Sequence, residues 1–225
     1  MTTVKDVLDA LWEFAPRERK MDFDNVGLLV GRSASKVERI LTCLDVTDWT
    51  ISEAAERGAQ LIVAHHPVFF SLSSVNDEDV TGRKIIRLIE NNISAVSMHT
   101  NLDAADGGVN DALAKKAGIV EPELLTVEGH DLKMLEYSCG RWGKLKEPME
   151  LCDYLSFVKE QLGANGLRYH DAGRKVEKVA VVSGSGGSYL KYAVSKGCDT
   201  FLTSDIKYDV FLDAKELGIN LIDGD

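Results

Sequence analysis

The chain has 225 residues, 44% of them apolar, and carries 26 Lys and Arg against 36 Asp and Glu for a formal net charge of −10. Such a length and apolar content support a sizeable core in one large domain or two lobes and exclude disordered and fibrous classes. The acidic balance excludes a general phosphate-backbone binder, which needs a basic face.

Four cysteines, Cys43, Cys139, Cys152 and Cys198, form no C-x-x-C pair, and a chain of this size needs no disulfides to fold, so a reducing, cytoplasmic setting is expected. Asp6, Asp9 and Glu13 stand where a secretory signal would be basic and then apolar, and no apolar run approaches membrane-spanning length. Neither export nor a membrane location is expected.

Thr2 or Thr3 can cap a helix in which Val4, Val7, Leu8, Leu11 and Trp12 recur on one stripe while Asp9 and Glu13 face water; Pro16 ends it. Asp24-Asn25-Val26-Gly27-Leu28-Leu29-Val30-Gly31 reads as polar residues, a short strand and a turn glycine, the pattern of a hairpin edge. The branched stretch Val37 to Val46 predicts a strand that runs into Thr47-Asp48, a capping signal for a helix from Trp49 to Arg57 closed by Gly58. Leu61 to Ala64 is a short buried strand. Apolar strands alternating with helices predict a sheet covered on both faces, and the fold class is α/β. Asp106-Gly107-Gly108 turns the chain into a helix from Val109 to Lys116.

A constant shift of 139 residues aligns Lys36-Val37-Glu38-Arg39 with Lys175-Val176-Glu177-Lys178, Ala54 with Ala193, Gly58 with Gly197, and strand Leu61 to Ala64 with Thr200 to Thr203. A shift of 126 lays Ile93 to Ser97 over Ile219 to Asp223. These matches predict a duplication, with a first lobe at 1–125, a second at 126–225, and the stretch from Glu121 to Gly143 joining the halves. The second copy stops where the first still has Thr100 to Asp106, so a counterpart of that segment is expected to lie beyond these residues.

Three of the five histidines, His65, His66 and His99, fall at the predicted C-terminal ends of two strands, the edge at which α/β sheets bind ligands. Adjacent side chains alternate along a strand, so His65 and His66 can act together only if the chain leaves the strand there, and Pro67 favours that. Asp103, in His99-Thr100-Asn101-Leu102-Asp103, could add a carboxylate oxygen. Imidazole with carboxylate suits zinc, iron or manganese, and a pair of such ions about 3.5–4 Å apart can share a bridging nucleophile. Asp45 is a candidate for orienting an imidazole from behind, or for a turn or cap.

The run Ser183-Gly184-Ser185-Gly186-Gly187-Ser188 follows strand Val179 to Val182 and could offer backbone N–H groups to an anion, with Ser185 and Gly186 as contacts, or could be a tight connection. Asp205, which the repeat aligns with His66, is either a site-facing carboxylate or an N-cap of a helix from Asp209 to Leu217. No H-E-x-x-H, G-x-S-x-G, P-loop or kinase motif is present.

Asp24-Asn25-Val26-Gly27-Leu28, Asp45-Val46-Thr47, Ala64-His65-His66-Pro67, His99-Thr100-Asn101-Leu102-Asp103, Ser183-Gly184-Ser185-Gly186-Gly187 and Leu221-Ile222-Asp223, in this order, closely resemble the NIF-three-like family, whose members are named GTP cyclohydrolase I type 2 homologs. The resemblance covers nearly the whole length and matches the short form without an inserted middle domain. It implies duplicated three-layer α/β/α lobes with mixed sheets, a toroidal homohexamer, and a dinuclear site for two divalent metal ions with His65, His66 and Asp103 among the ligands. His99, Asn101, Asp45, Ser185, Gly186 and Asp205 are then the supporting or substrate-contacting candidates. The family's remaining ligands come from a G-H-x-x-x-E type motif directly after the strand matching Leu221 to Asp223, which residues 1–225 do not contain, so the site carried by these residues is expected to be incomplete. A histidine that family members often carry near Asp209 is also absent here.

Two functions compete. One is a metal-dependent hydrolase acting on a small phosphorylated or nucleotide-like substrate. The other is a non-catalytic metal-binding or partner-binding scaffold whose ring assembly is the functional object.

Overall fold

The computed structural model describes residues 1–224. Helix α1 (Val4–Phe14) starts at Thr3, whose side chain accepts from the Asp6 N–H while the Asp6 carboxylate accepts from the Thr3 N–H, a reciprocal cap that satisfies two orphan donors. Strands β1 (Gly27–Val30) and β2 (Ile40–Cys43), helix α2 (Asp48–Glu56), strand β3 (Leu61–Ala64), helix α3 (Val80–Glu90) and strand β4 (Ser94–Ser97) follow. The predicted strand from Val37 to Val46 shortens to its centre, and Thr47 caps α2 with Thr50 as its partner.

The sheet has the order β1-β4-β3-β2, with β2, β3 and β4 parallel and β1 antiparallel to β4. All four residues of β4 are buried, the pattern of a strand covered on both faces. Ile51 and Ala54 of α2 and Ile85 and Leu88 of α3 pack into one core with Ile62, Ala64 and Ala95 of the sheet.

Short helix α4 (Thr100–Ala104) and helix α5 (Val109–Lys116) lead to β5 (Ile119–Leu124), the small hairpin β6 (Gly129–His130) and β7 (Glu136–Tyr137), and the long β8 (Gly140–Met149). Then come α6 (Leu151–Leu162), β9 (Arg168–His170), β10 (Val176–Val182), α7 (Leu190–Ser195), β11 (Thr200–Thr203), α8 (Tyr208–Leu217) and β12 (Asn220–Asp223). They form a six-stranded sheet of order β5-β8-β10-β11-β12-β9. Strands β10, β11 and β12 are parallel, and β9 is antiparallel to β12.

The duplication shows in this topology. Each sheet holds three parallel strands in chain order, and the strand preceding the first of them pairs antiparallel with the last. The second sheet adds β5 and β8 at its other edge. The chain divides into two compact units, the first Met1–Leu102 and the second starting at Asp103. This boundary lies ahead of the expected 125/126 because β5 pairs with β8, and Ala114 and Ala117 pack in one core with Leu145, Val179 and Val181. The stretch from Glu121 to Gly143 is therefore part of the second sheet and its hairpin. No helix among the described residues is long and apolar enough to cross a membrane.

Two left-handed glycines separate conformational from steric cost. Gly58, closing α2, has φ +63° and open space where a Cβ would stand, whereas Gly31, leaving β1, has φ +107° and would place a Cβ 2.3 Å from Ser94 Oγ and 2.8 Å from Ser94 Cα. In denaturant titrations Gly58→Ala is expected to cost about 1 kcal/mol, and Gly31→Ala, which adds a backbone clash, about 3 kcal/mol.

Candidate metal centre

The parallel strands β2, β3 and β4 end side by side, and the ladder continues beyond them. The His65 N–H donates to the Cys43 carbonyl at 3.2 Å, the His66 N–H to the Leu44 carbonyl at 3.0 Å, and the Met98 N–H to the Ala64 carbonyl at 2.9 Å. Ser97 Oγ donates to the His65 carbonyl at 2.9 Å. Because β3 stops at Ala64, His65 and His66 are released from strand alternation and their ring centroids lie 5.0 Å apart. The His99 ring lies 5.0 Å from His65 and 5.5 Å from His66. Ligand-type atoms of His65, His66 and His99 all fall within 4.8 Å of one another.

Each imidazole is anchored through Nδ1. His65 Nδ1 donates to the Met98 carbonyl at 2.9 Å, His66 Nδ1 to Asp45 Oδ1 at 2.8 Å, and His99 Nδ1 to Asp24 Oδ1 at 2.9 Å. A carbonyl or an ionised carboxylate can only accept, so Nδ1 carries a hydrogen in each ring, and in the neutral form of the imidazole the lone pair is then on Nε2. Such backing by carbonyl and carboxylate orients metal-binding histidines and raises their basicity.

Burial is the main cause that lowers the His65 pKa from 6.5 to about 4, with repulsion from His99 and His66 adding to it and the Met98 carbonyl and Asp24 opposing it. The ring is neutral at pH 7, the form a cation needs. Asp24 behaves in the opposite way. Burial of its fully enclosed side chain would raise its pKa, but hydrogen bonds from His99, the Thr100 hydroxyl and the Thr100 N–H outweigh that and hold it at about 2 against 3.8.

Of the residues singled out in the sequence, Asp45 stands behind His66, and Asn101 braces the turn at His99: its Oδ1 accepts from the His99 N–H at 3.0 Å and its Nδ2 donates to the Ala15 carbonyl at 2.8 Å. His99, expected in a supporting place, has its ring in the cluster itself.

Asp103 belongs to the second unit, where Oδ1 accepts from Ser183 Oγ at 3.2 Å and its carbonyl accepts from Asn110 Nδ2 at 3.2 Å. Ser185 and Asp205 line one cavity of about 510 Å³ in that unit. The Gly186 N–H donates to Thr203 Oγ1 at 2.9 Å and to the Gly184 carbonyl, so this N–H is used inside the loop. Asp205 takes φ +52° and is not the cap of α8; Lys207 occupies that position without a side-chain bond.

Asp24 and the Met98 carbonyl are the functional partners that residue reading missed. Asp24 sits in a segment that reads as a turn before an edge strand, and although it opens one of the motifs that carry the family resemblance, nothing in residue type pairs it with His99. A backbone acceptor has no signal in residue types.

The described residues thus define an α/β protein whose first unit gathers three imidazoles at a sheet edge, grouped closely enough that they could hold a metal ion. The family model of Duf34/NIF3 (NGG1p interacting factor 3) matches residues 2–225, and the chain belongs to that family. It is 37% identical over 222 residues to the GTP cyclohydrolase 1 type 2 homolog of Clostridium acetobutylicum, covering 98% of this chain and 82% of that protein. The solved structure of Staphylococcus aureus protein SA1388 matches with a TM-score of 0.90 at 29% identity, covering 99% of this chain and 85% of that one. A Bacillus cereus protein related to NIF3 matches with a TM-score of 0.92 at 25% identity, covering 100% and 88%.

Asp24→Asn is expected to lower stability at pH 7 by about 2 kcal/mol, the worth of holding a carboxyl from 3.8 down to about 2. A depressed carboxyl contributes fully above its unfolded pKa and loses the contribution as pH falls through its folded one. The gap between wild type and variant, measured by urea midpoints, should therefore narrow from pH 3.8 towards pH 2.

Proposed function

We propose that this chain is a metal-dependent hydrolase acting on a small phosphorylated or nucleotide-like substrate, with His65, His66 and His99 holding divalent metal in a two-ion site of zinc, iron or manganese. The observation that carries the reading is the set of three imidazoles, each fixed through Nδ1, whose ligand-type atoms converge within 4.8 Å. This donor set fits a borderline cation such as zinc or iron(II) better than a hard cation that prefers oxygen. A metal so held supplies Lewis acidity and lowers the pKa of coordinated water to about 7.

The chain's own residues do the rest. Asp24 and Asp45 fix two ring orientations and the Met98 carbonyl the third, and the burial of His65 keeps that ring from taking a proton in competition with a cation. The substrate class is supported by the name of the Clostridium acetobutylicum relative, a GTP cyclohydrolase 1 type 2 homolog.

After stripping with a chelator, zinc or manganese titration should show binding that His65→Ala and His99→Ala each weaken by more than about 100-fold. Asp45→Asn, a change at a half-exposed residue, should weaken it by about 10–100-fold. Equal affinity in a variant with all three histidines replaced by alanine would refute the metal reading. The loaded protein is expected to turn over at least one member of a phosphoester and nucleotide panel and to lose that activity reversibly to chelator. Metal binding without any turnover would refute the hydrolase reading alone.

A further inference from the structure

The loops that build the imidazole cluster also set two phenyl rings beside it. Phe23 adjoins Asp24, the acceptor for His99, and Phe70 follows four residues after His66. They are 68% and 54% exposed, and their centroids lie 6.3 Å apart at 50°. The Phe70 ring approaches His99 edge to face, 5.8 Å between centroids at 60°.

Local structure holds both loops. Phe69, the inward neighbour, packs against the core of the first unit, and its carbonyl accepts from Asn25 Nδ2 at 2.9 Å. The loop carrying Phe23 is thereby tied to the loop carrying Phe70. Leu44, next to Asp45, is exposed as well, so the segments that carry Asp24, Asp45 and the His65-His66 pair each hold an apolar side chain in water.

Single exposed apolar side chains are ordinary. Two aromatic rings tied together at the rim of a polar cluster are a feature of ligand sites, where apolar and aromatic walls surround a few convergent polar groups. The tilts of 50° and 60° leave ring faces that neither Phe23, Phe70 nor His99 covers by stacking, and an offset-stacked ring is the partner such faces prefer.

We infer that Phe23 and Phe70 form an aromatic wall that selects substrates carrying a planar aromatic ring next to the group presented to the metal. The inference rests on the metal reading of the histidine cluster and names the substrate class of that site. Stacking would turn the ring while the imidazole-held metal takes the polar end, so the wall sets orientation as well as affinity.

The test uses three probes with one chelating group, benzohydroxamate, cyclohexanecarbohydroxamate and acetohydroxamate, titrated calorimetrically into the whole chain loaded with zinc, whose zinc content is measured beforehand. Benzohydroxamate is expected to bind about tenfold tighter than its non-planar cyclohexane counterpart. Phe70→Leu and Phe23→Leu should reduce that ratio to about threefold or less with zinc content unchanged, and Phe70→Tyr should retain it.

Zinc bound without discrimination between the two ring probes in the wild-type protein overturns the inference and leaves the metal reading standing. So does a ratio unchanged by both leucine variants. A shift in sedimentation of the leucine variants with no change in the ratio also overturns it, and assigns the wall to contact between copies of the chain. Absence of zinc in the wild-type protein overturns the metal reading and the inference with it.

Discussion

The buried hydrogen bond between His99 and Asp24 is the constraint on which the candidate site depends. A carboxylate enclosed by protein costs several kcal/mol unless its oxygens find donors, and Asp24 finds four: His99 Nδ1, the Thr100 N–H, the Thr100 hydroxyl and the N–H of its own neighbour Asn25. That set joins the loop ahead of β1 to the end of β4 and the first turn of α4. Thr100 Oγ1 in turn accepts from the Met21 N–H at 2.9 Å, so the same loop is held at two points. The fold and the ring orientation of His99 are therefore one structural decision, and neither can relax without exposing a buried charge.

The two units show how one topology takes two chemical characters. Both carry three parallel strands with an antiparallel neighbour. The first unit follows β3 and β4 with His65, His66 and His99, while the second follows β11 with Ser204 and Asp205. At the end of β12 the buried carboxylate of Asp223 pairs with Arg168 and accepts from the Ile206 N–H at 3.3 Å. An edge that holds imidazoles in one unit is closed by an ion pair in the other. Topology supplies an edge where loops gather, and the loop residues decide its chemistry.

Much of this was legible in the residues. The caps at Thr3 and Thr47, the four apolar residues of β3 and the repeat shifts of 139 and 126 all encode local or one-dimensional patterns, and the strands and helices fall where those patterns put them. The pair His65-His66 ahead of Pro67 located the edge for the same reason. What could not be read depends on contacts distant in sequence. The role of Asp24 requires knowing that the loop before β1 passes the end of β4, 75 residues away. The place of His99 among the rings depends on β3 and β4 being neighbours, and the unit boundary depends on the pairing of β5 with β8. The glycine run could be read either as available N–H groups or as a tight connection, because only the three-dimensional neighbourhood shows that Thr203 accepts the Gly186 N–H.

The three rings are not equivalent, and their differences follow a gradient of burial. His99 is 15% exposed against a fully buried carboxylate, while His66 is 45% exposed against Asp45 at 55%. A hydrogen bond to a charge gains strength where water is excluded and is screened where it is not. The Asp24–His99 pair is accordingly the rigid reference, and the Asp45–His66 pair is the one able to shift with little cost. His65 differs from both, being backed by a backbone carbonyl that carries no net charge and kept neutral by burial and by its neighbours. A cluster built this way combines one fixed ring with one adjustable ring, the arrangement that the proposed metal site would use as a preorganised nitrogen beside a second that can move.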